Sequence, residues 1–156
     1  MKISAWSRFW NWLYWVRHRK IKENVENYLK NCTHCYIDSI CNWMKGFEYR
    51  GDWPLIHWTQ LPITTVHRKK GDCEDLARLW YDQLKRLGYN PYVYKLYKRK
   101  WYTLGIPVWW HTVVNMYEYI SCHEHTFWIF SNTVARKIGI LGYMKENNYC
   151  DFKRWK

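Results

Sequence analysis

Residues 71–77 read Gly71-Asp72-Cys73-Glu74-Asp75-Leu76-Ala77, and this segment predicts the start of an amphipathic helix. Asp72 is a favoured N-cap residue, and Asp75 stands three positions later, as in a capping box. Apolar residues then recur at three- and four-residue steps on one predicted face: Leu76, Leu79, Trp80, Leu84 and Leu87. Gly88 is the residue type that commonly ends a helix, so we expect the helix to stop there.

The position of Cys73 in the first turn of this helix suggests chemistry. Unpaired backbone N–H groups and the helix dipole favour the thiolate there, and the thiolate is the nucleophilic form. The carboxylates of Asp72, Glu74 and Asp75 oppose a negative sulfur, so a cationic partner such as histidine is needed. His111 is the best placed of the seven histidines, because it stands among bulky residues at the head of a predicted strand. Taken singly, a buried cysteine or a structural histidine is the commoner role.

The period of the apolar residues changes from near four to two after the predicted helix. Three segments rich in aromatic and β-branched residues are predicted strands: Tyr92–Lys98, Val108–Tyr117 and Thr126–Ser131. Helices are expected upstream at 5–30 and at about 33–45, the second ended by Gly46 in a left-handed conformation. Helices followed by antiparallel strands indicate an α+β fold in a single domain over residues 1–156. Residues 134–156 show no clear pattern.

This combination of segments resembles the transglutaminase-like cysteine peptidases, most closely the bacterial branch. The similarity rests on Pro62, on the Gly-Asp-Cys-Glu-Asp segment, on the Leu-Gly-Tyr end of the helix and on His111-Thr112-Val113-Val114. It extends upstream to Asn42, Tyr49, Asp52 and Trp58, and it covers about residues 40–133. The resemblance implies a papain-like α+β fold, with the helix that bears the cysteine packed on an antiparallel sheet. It also implies a Cys-His-Asp triad that cleaves, forms or hydrolyses amide bonds.

The resemblance assigns the first two members of that triad but not the third. Cys73 would be the nucleophile, and His111 would be the general base. The family often has Leu-Asp-Asn at the end of the next strand, where this chain has Phe130-Ser131-Asn132. Ser131 or Asn132 can still accept a hydrogen bond from an imidazole, although neither supplies a negative charge. Alternation along a strand places these two side chains on opposite faces, so only one can serve.

The oxyanion of an acyl-transfer reaction needs hydrogen-bond donors aimed at the developing charge. The backbone N–H of Cys73 is one candidate donor. Gln60 and Trp58, from the loop before the helix, are the others.

The N-terminal segment combines tryptophan with arginine. Its apolar stripe recurs at helical spacing and comprises Trp6, Phe9, Trp10, Leu13 and Val16. We expect this aromatic face of the 1–30 helix to pack on the domain. The alternative is an interfacial helix, since tryptophan with lysine and arginine is typical of helices that lie at a membrane surface.

Composition sets the remaining limits. The 156 residues include 13 Trp and 14 Tyr and carry a formal net charge of +12. Aromatic-rich chains of this kind fold, and the sequence contains no apolar stretch long enough to span a membrane. The charge favours a nucleic acid or an anionic surface as a partner. No export signal is evident, so the six cysteines are expected as thiols in the cytoplasm.

Two further patterns could bind ligands. Cys32, His34 and Cys35 have the spacing of half a zinc site or a redox pair, which Cys122-His123-Glu124-His125 could complete as zinc ligands. The second half does not have a standard spacing, and two cysteines one helical turn apart also occur by chance, so neither metal nor cofactor is predicted. The stretch 94–102 interleaves cations with aromatic rings, as in surfaces that stack bases. A strand followed by a basic hairpin is the commoner explanation.

The sequence therefore supports two functional hypotheses. The first is a cysteine-dependent hydrolase or acyl transferase acting on protein or peptide amide bonds, as a peptidase, deamidase or transglutaminase. The second is a catalytically degenerate transglutaminase-like module that binds nucleic acid or an acidic protein partner.

Overall fold

The computed structural model describes residues 3–31, 34, 36–51, 58–99, 104, 106–119 and 125–154. Within these ranges the chain has a mixed α+β fold, as the sequence predicted. The helices are α1 (Ala5–Arg17), α2 (Arg19–Asn31), α3 (Ile37–Met44), α4 (Pro62–Arg68), α5 (Cys73–Arg86) and α6 (Ile140–Glu146). The strands are β1 (Glu48–Tyr49), β2 (Lys70–Gly71), β3 (Tyr92–Arg99), β4 (Pro107–Tyr119), β5 (His125–Ser131), β6 (Val134–Arg136) and β7 (Asp151–Arg154).

Helix α5 confirms the prediction made from its sequence. The Asp72 side chain accepts hydrogen bonds from the N–H groups of Glu74 and Asp75, and the Asp75 side chain accepts one from the N–H of Asp72. This is a complete capping box, which satisfies N–H groups that the helix itself cannot pair. At the other end Gly88 has φ of +86°, the left-handed conformation that glycine adopts without strain.

The three predicted strands form the centre of a five-stranded sheet. Its order is β6-β5-β4-β3-β7, and every neighbouring pair is antiparallel. The strands β6 and β7 and the helix α6 come from residues 134–156, which carried no readable pattern. A second, parallel pair joins β1 to β2 directly before α5.

The sheet separates two hydrophobic clusters. On one face Val114, Met116 and Phe130 pack with Leu76 and Trp80 of α5, so the cysteine-bearing helix lies on the sheet as expected. On the other face Leu96, Val113 and Ile129 pack with Tyr143 and Met144 of α6. Neighbouring residues of β4 therefore contact different helices.

Two details of the N-terminal helices differ from the predictions. The single helix expected at 5–30 is broken at His18, which leaves the helical conformation and hydrogen-bonds to the carbonyl of Tyr14 through its backbone N–H. The His18 ring also stacks on the Tyr14 ring at 4.3 Å, which stabilises the break. After α3, Gly46 does not adopt the expected left-handed conformation, since the chain continues into a tight turn in which the Gly46 N–H bonds to the Trp43 carbonyl.

The aromatic stripe of α1 was expected to pack on the domain, and this prediction is wrong. The helix instead buries Ser7, Asn11 and Trp15, while Trp6 and Phe9 of the stripe are about half exposed. The physical reason is that Ser7 and Asn11 satisfy backbone groups of the loop before α4, so the polar face turns inward. Among the described residues, no helix is both long and apolar enough to cross a bilayer.

Candidate active site

Cys73 lies in the first turn of α5 and is 7 % exposed. Thr112 on β4 lies near the sulfur, and its backbone N–H and hydroxyl both act to lower the pKa of the thiol. The hydroxyl of Thr112 is fully buried and has no hydrogen-bond partner among the described residues. The thiol is thus fixed between the start of the helix and the middle strand of the sheet.

The carboxylates around Cys73 have structural partners. Glu74 is buried, accepts a hydrogen bond from the Thr59 hydroxyl at 2.7 Å and forms an ion pair with Lys95 at 2.6 Å. Asp75 is buried and accepts hydrogen bonds from the backbone N–H and the side-chain amide of Gln60. These contacts tie the preceding loop and strand β3 to the first turn of α5.

The electrostatics at Cys73 favour a neutral thiol. Burial and the negative charges of Asp72 and Glu74 together raise its pKa to about 12, although Thr112 acts to lower it. The acidic residues on both sides of Cys73 predict this opposition between carboxylates and sulfur. A proton acceptor close to the sulfur is therefore required before Cys73 can act as a nucleophile.

His111 lies on β4 directly before Thr112, and its ring is held by the Ser131 hydroxyl at the end of β5. Its Nε2 atom is 2.7 Å from the Ser131 hydroxyl oxygen, which also accepts a hydrogen bond of 2.9 Å from the Tyr143 hydroxyl. The Tyr149 ring stacks parallel to the imidazole, with 6.4 Å between ring centroids. Because Nε2 is engaged by Ser131, any proton exchanged with Cys73 would have to pass through Nδ1.

Burial also sets the protonation state of His111. Burial, assisted by the positive charge of Lys98 and opposed by the negative charge of Asp72, lowers the pKa of His111 to about 4. The imidazole is therefore neutral at pH 7, as a general base must be. Because the pKa of Cys73 is raised and the pKa of His111 is lowered, a resting thiolate–imidazolium pair is disfavoured.

Charged groups in the first turn of α5 are close enough to His111 of β4 and to its neighbours to shift their pKa values. Asp72 raises the pKa of His111, while Cys73 adds to the burial that raises the pKa of the Tyr49 and Tyr149 phenols.

A bulge in the β3–β4 pairing falls next to His111, where Leu96 pairs with His111 and Tyr97 already pairs with Trp109. Bulges of this kind re-aim neighbouring side chains and are frequent near active sites.

The two candidates for a hydrogen-bond partner of the imidazole, Ser131 and Asn132, lie in different places. Ser131 ends β5 and contacts His111 directly. Asn132 follows in the turn with φ of +51°, and its carbonyl accepts a hydrogen bond from the Trp80 indole. Of the two, Ser131 is the residue that occupies the position beside the imidazole.

The candidate oxyanion donors are also separated. Gln60 is buried, and both its backbone N–H and its side-chain amide bond to Asp75, so it secures the helix start. Trp58 contacts the Tyr14 ring at 6.3 Å and lies under the Arg68 guanidinium at 5.6 Å, beside α1 and α4. The Cys73 N–H is not one of the two groups that the Asp72 side chain caps.

The basic aromatic stretch does not form one continuous surface over its described part, 94–99. Lys95 pairs with Glu74 beneath the sheet, and Lys98 lies 4.6 Å above the Tyr149 ring on the other face. Tyr94 packs against Phe152 of the neighbouring strand. Residues 100–102 lie outside the described ranges.

Most of the candidate zinc ligands lie outside the described residues, namely Cys32, Cys35 and 122–124. His34 lies within them, and its ring is 5.1 Å from that of Trp43. Within the described part of the chain, no group of three or more histidine, cysteine or acidic side chains could hold a metal ion.

Several residues of the site were not anticipated from the sequence. The sequence could have indicated Thr112, because it directly follows His111 in a predicted strand. The others come from elements with no readable pattern or from distant segments: Tyr49, Lys98, Tyr143 and Tyr149. No protein-family model matches the sequence, and no curated protein is significantly similar to it. The arrangement of side chains therefore carries the functional argument.

Proposed function

We propose that this chain is a cysteine-dependent hydrolase or acyl transferase that acts on protein or peptide amide bonds, with a papain-like, transglutaminase-like arrangement of its α+β elements. The observation that carries the proposal is the cluster at the start of α5. There Cys73 lies beside Thr112 of β4, and the preceding residue, His111, bonds to the Ser131 hydroxyl, which in turn accepts a hydrogen bond from the Tyr143 hydroxyl.

In the proposed reaction, Cys73 and His111 begin in their neutral forms. The sulfur attacks the amide carbonyl carbon while His111 takes the thiol proton, so that the charge appears only as the S–C bond forms. The tetrahedral intermediate then expels the amine, which receives that proton, and leaves a thioester. Water or a second amine attacks the thioester with His111 again as base, which releases the product and restores the thiol.

The backbone N–H of Cys73 is the proposed oxyanion donor, because it belongs to the unpaired N–H groups of the first helical turn. Gln60 would act indirectly, by holding Asp75 and hence the orientation of that turn. Hydrolysis by water would make the protein a peptidase or a deamidase, and attack by an amine would make it a transglutaminase.

Ser131 changes how the imidazole is controlled. A carboxylate only accepts hydrogen bonds, so it forces the proton onto Nε2 and leaves the Nδ1 lone pair for the thiol. A hydroxyl can accept or donate, so Ser131 permits both tautomers. The hydrogen bond that the Tyr143 hydroxyl donates to Ser131 fixes the serine oxygen in place. We therefore expect slower catalysis than a triad with an acid would give.

The same features favour the second candidate, a catalytically degenerate module. The raised pKa of Cys73, the lowered pKa of His111 and the lack of charge at Ser131 would all follow if the site had lost activity. Such a module would use the positive charge of the chain to bind nucleic acid or an acidic protein.

Alkylation by iodoacetamide separates the two candidates. Cys150 is exposed and serves as an internal reference thiol. The enzyme hypothesis predicts that His111→Gln slows alkylation of Cys73 at least about tenfold at pH 7.5, since the base is lost, and leaves that of Cys150 unchanged. Peptide mapping by mass spectrometry measures both rates. An unchanged Cys73 rate in the folded variant would contradict the enzyme hypothesis.

The binding hypothesis has its own test. Fluorescence anisotropy with labelled single-stranded DNA should show affinity that falls steeply between 50 and 200 mM salt, roughly in proportion to the number of phosphates contacted. If the anisotropy does not change at the lower salt concentration, binding of nucleic acid is refuted.

A further inference from the structure

Helix α1 presents an aromatic surface to solvent. Its exposed apolar side chains lie on one side of the helix and include Trp12 at 61 % and Trp6 at 51 % exposure; the full set is Trp6, Phe9, Trp12, Leu13 and Val16. The Phe9 ring contacts the rings of Trp6 and Trp12 on this surface, with centroids 6.2 and 6.1 Å away. Exposed apolar patches of this kind mark interaction sites.

The opposite side of α1 explains how the helix is held in this orientation. The Asn11 amide donates to the Thr59 carbonyl at 3.0 Å and accepts from the Leu61 N–H at 2.9 Å, and the Trp15 indole donates to Thr64 at 2.9 Å. The Ser7 hydroxyl accepts from the Thr59 N–H at 3.0 Å. Because these bonds require the polar side of α1 to face the protein, the aromatic side is fixed outward.

The charged side chains of α1 and of the first residues of α2 all have one sign. Residues 3–22 contain several cations and no acidic residue, and the cations are all exposed: Arg8, Arg17, Arg19, Lys20 and Lys22. With 3.6 residues per turn, Arg8 and Arg17 fall on the two flanks of the apolar arc. Long cationic side chains at such flanks can reach anionic head groups while the rings enter the apolar layer.

We propose that α1 is an interfacial helix that binds anionic phospholipid bilayers, with its Trp6, Phe9 and Trp12 face inserted at the head-group boundary. A helix of 13 residues is too short to span a bilayer and suits a position in the plane of the membrane surface. A second copy of the chain fits this face less well, because a symmetric contact would bring the same cations together. The active site is not required for this binding.

Cosedimentation with sucrose-loaded vesicles tests the proposal on the full chain. The wild-type protein should sediment with 3:1 phosphatidylcholine:phosphatidylglycerol vesicles at 100 mM salt and bind pure phosphatidylcholine vesicles at least about tenfold more weakly. Trp12→Ser should lower the partition coefficient about tenfold, since it removes one inserted ring. Leu141→Ser removes an equally exposed apolar side chain from α6 and should leave binding unchanged.

A double charge reversal, Arg8→Glu with Arg17→Glu, should lower binding to the anionic vesicles by at least about thirtyfold, because each cation near the surface contributes about 1 kcal/mol. The proposal is overturned if the wild type does not sediment with anionic vesicles, as it would not if a protein covered this face. It is also overturned if Trp12→Ser binds like the wild type. A dimer in analytical ultracentrifugation that dissociates in Trp12→Ser would assign the face to a second copy instead.

Discussion

Replacing Ser131 by aspartate would place a negative charge beside the His111 imidazole, where serine has none. The Ser131 oxygen is 2.7 Å from His111 Nε2, so a carboxylate there would lie about 4 Å from the centre of an imidazolium charge. At an effective dielectric constant of about 20 the attraction is about 4 kcal/mol. Desolvation of a partly buried carboxylate cancels much of this, and the hydrogen bond from Tyr143 recovers a part. A net stabilisation of the thiolate–imidazolium pair by about 1–2 kcal/mol is expected.

That stabilisation raises the pKa of His111, lowers the pKa of Cys73 and increases the thiolate population at fixed pH by about five- to thirtyfold. Nucleophilicity falls as the thiol pKa falls, so the alkylation rate should rise by about two- to sixfold. The assay is the pH profile of Cys73 alkylation, with Cys150 as reference. Ser131→Asn is the matched control, because it keeps a polar side chain without the charge. The proposed role of this position is refuted if the aspartate variant is folded, as judged by its melting temperature, and reacts no faster than the asparagine variant.

Two further predictions concern stability. Burial holds the pKa of His111 near 4 against an ordinary value of 6.5, so below pH 6.5 the unfolded chain takes up a proton that the folded chain does not. The free energy of unfolding should therefore fall by up to about 3 kcal/mol between pH 6.5 and 4, and urea titrations of the wild type and His111→Gln should show a shallower dependence in the variant. Asp75→Asn should destabilise the fold by about 2–4 kcal/mol, because Gln60 and Asp72 lose a buried acceptor; the exposed Asp38→Asn is the control, and equal urea midpoints would contradict this role.

The parts of the fold that the sequence predicted are those determined by local contacts. The capping box at Asp72 and the left-handed Gly88 define both ends of α5, and each depends on residues within one helical turn. The strands β3, β4 and β5 were recognised because alternation is also a local pattern. Residues 134–156 gave no pattern, since β6, α6 and β7 are short and rely on contacts made by the sheet.

The orientation of α1 depended on a distant partner. Apolar periodicity identified the aromatic stripe, yet it could not say which side of the helix is buried. That choice is made by hydrogen bonds from Asn11 to Thr59 and Leu61, about fifty residues along the chain. In the site, Cys73 and His111 could be chosen from their local sequence, whereas Tyr143 reaches Ser131 only through the tertiary fold.

The residues around Cys73 in the Gly-Asp-Cys-Glu-Asp segment each have a structural role. Asp72 caps the helix, Glu74 joins it to β3, and Asp75 fastens the preceding loop. A Cβ atom added at Gly71 would lie 2.6 Å from the Cβ of Asp75, so only glycine fits there. None of these requirements involves the sulfur. A chain without catalytic activity would need the same residues in order to fold, so the Gly-Asp-Cys-Glu-Asp segment would occur in catalytic and non-catalytic proteins alike.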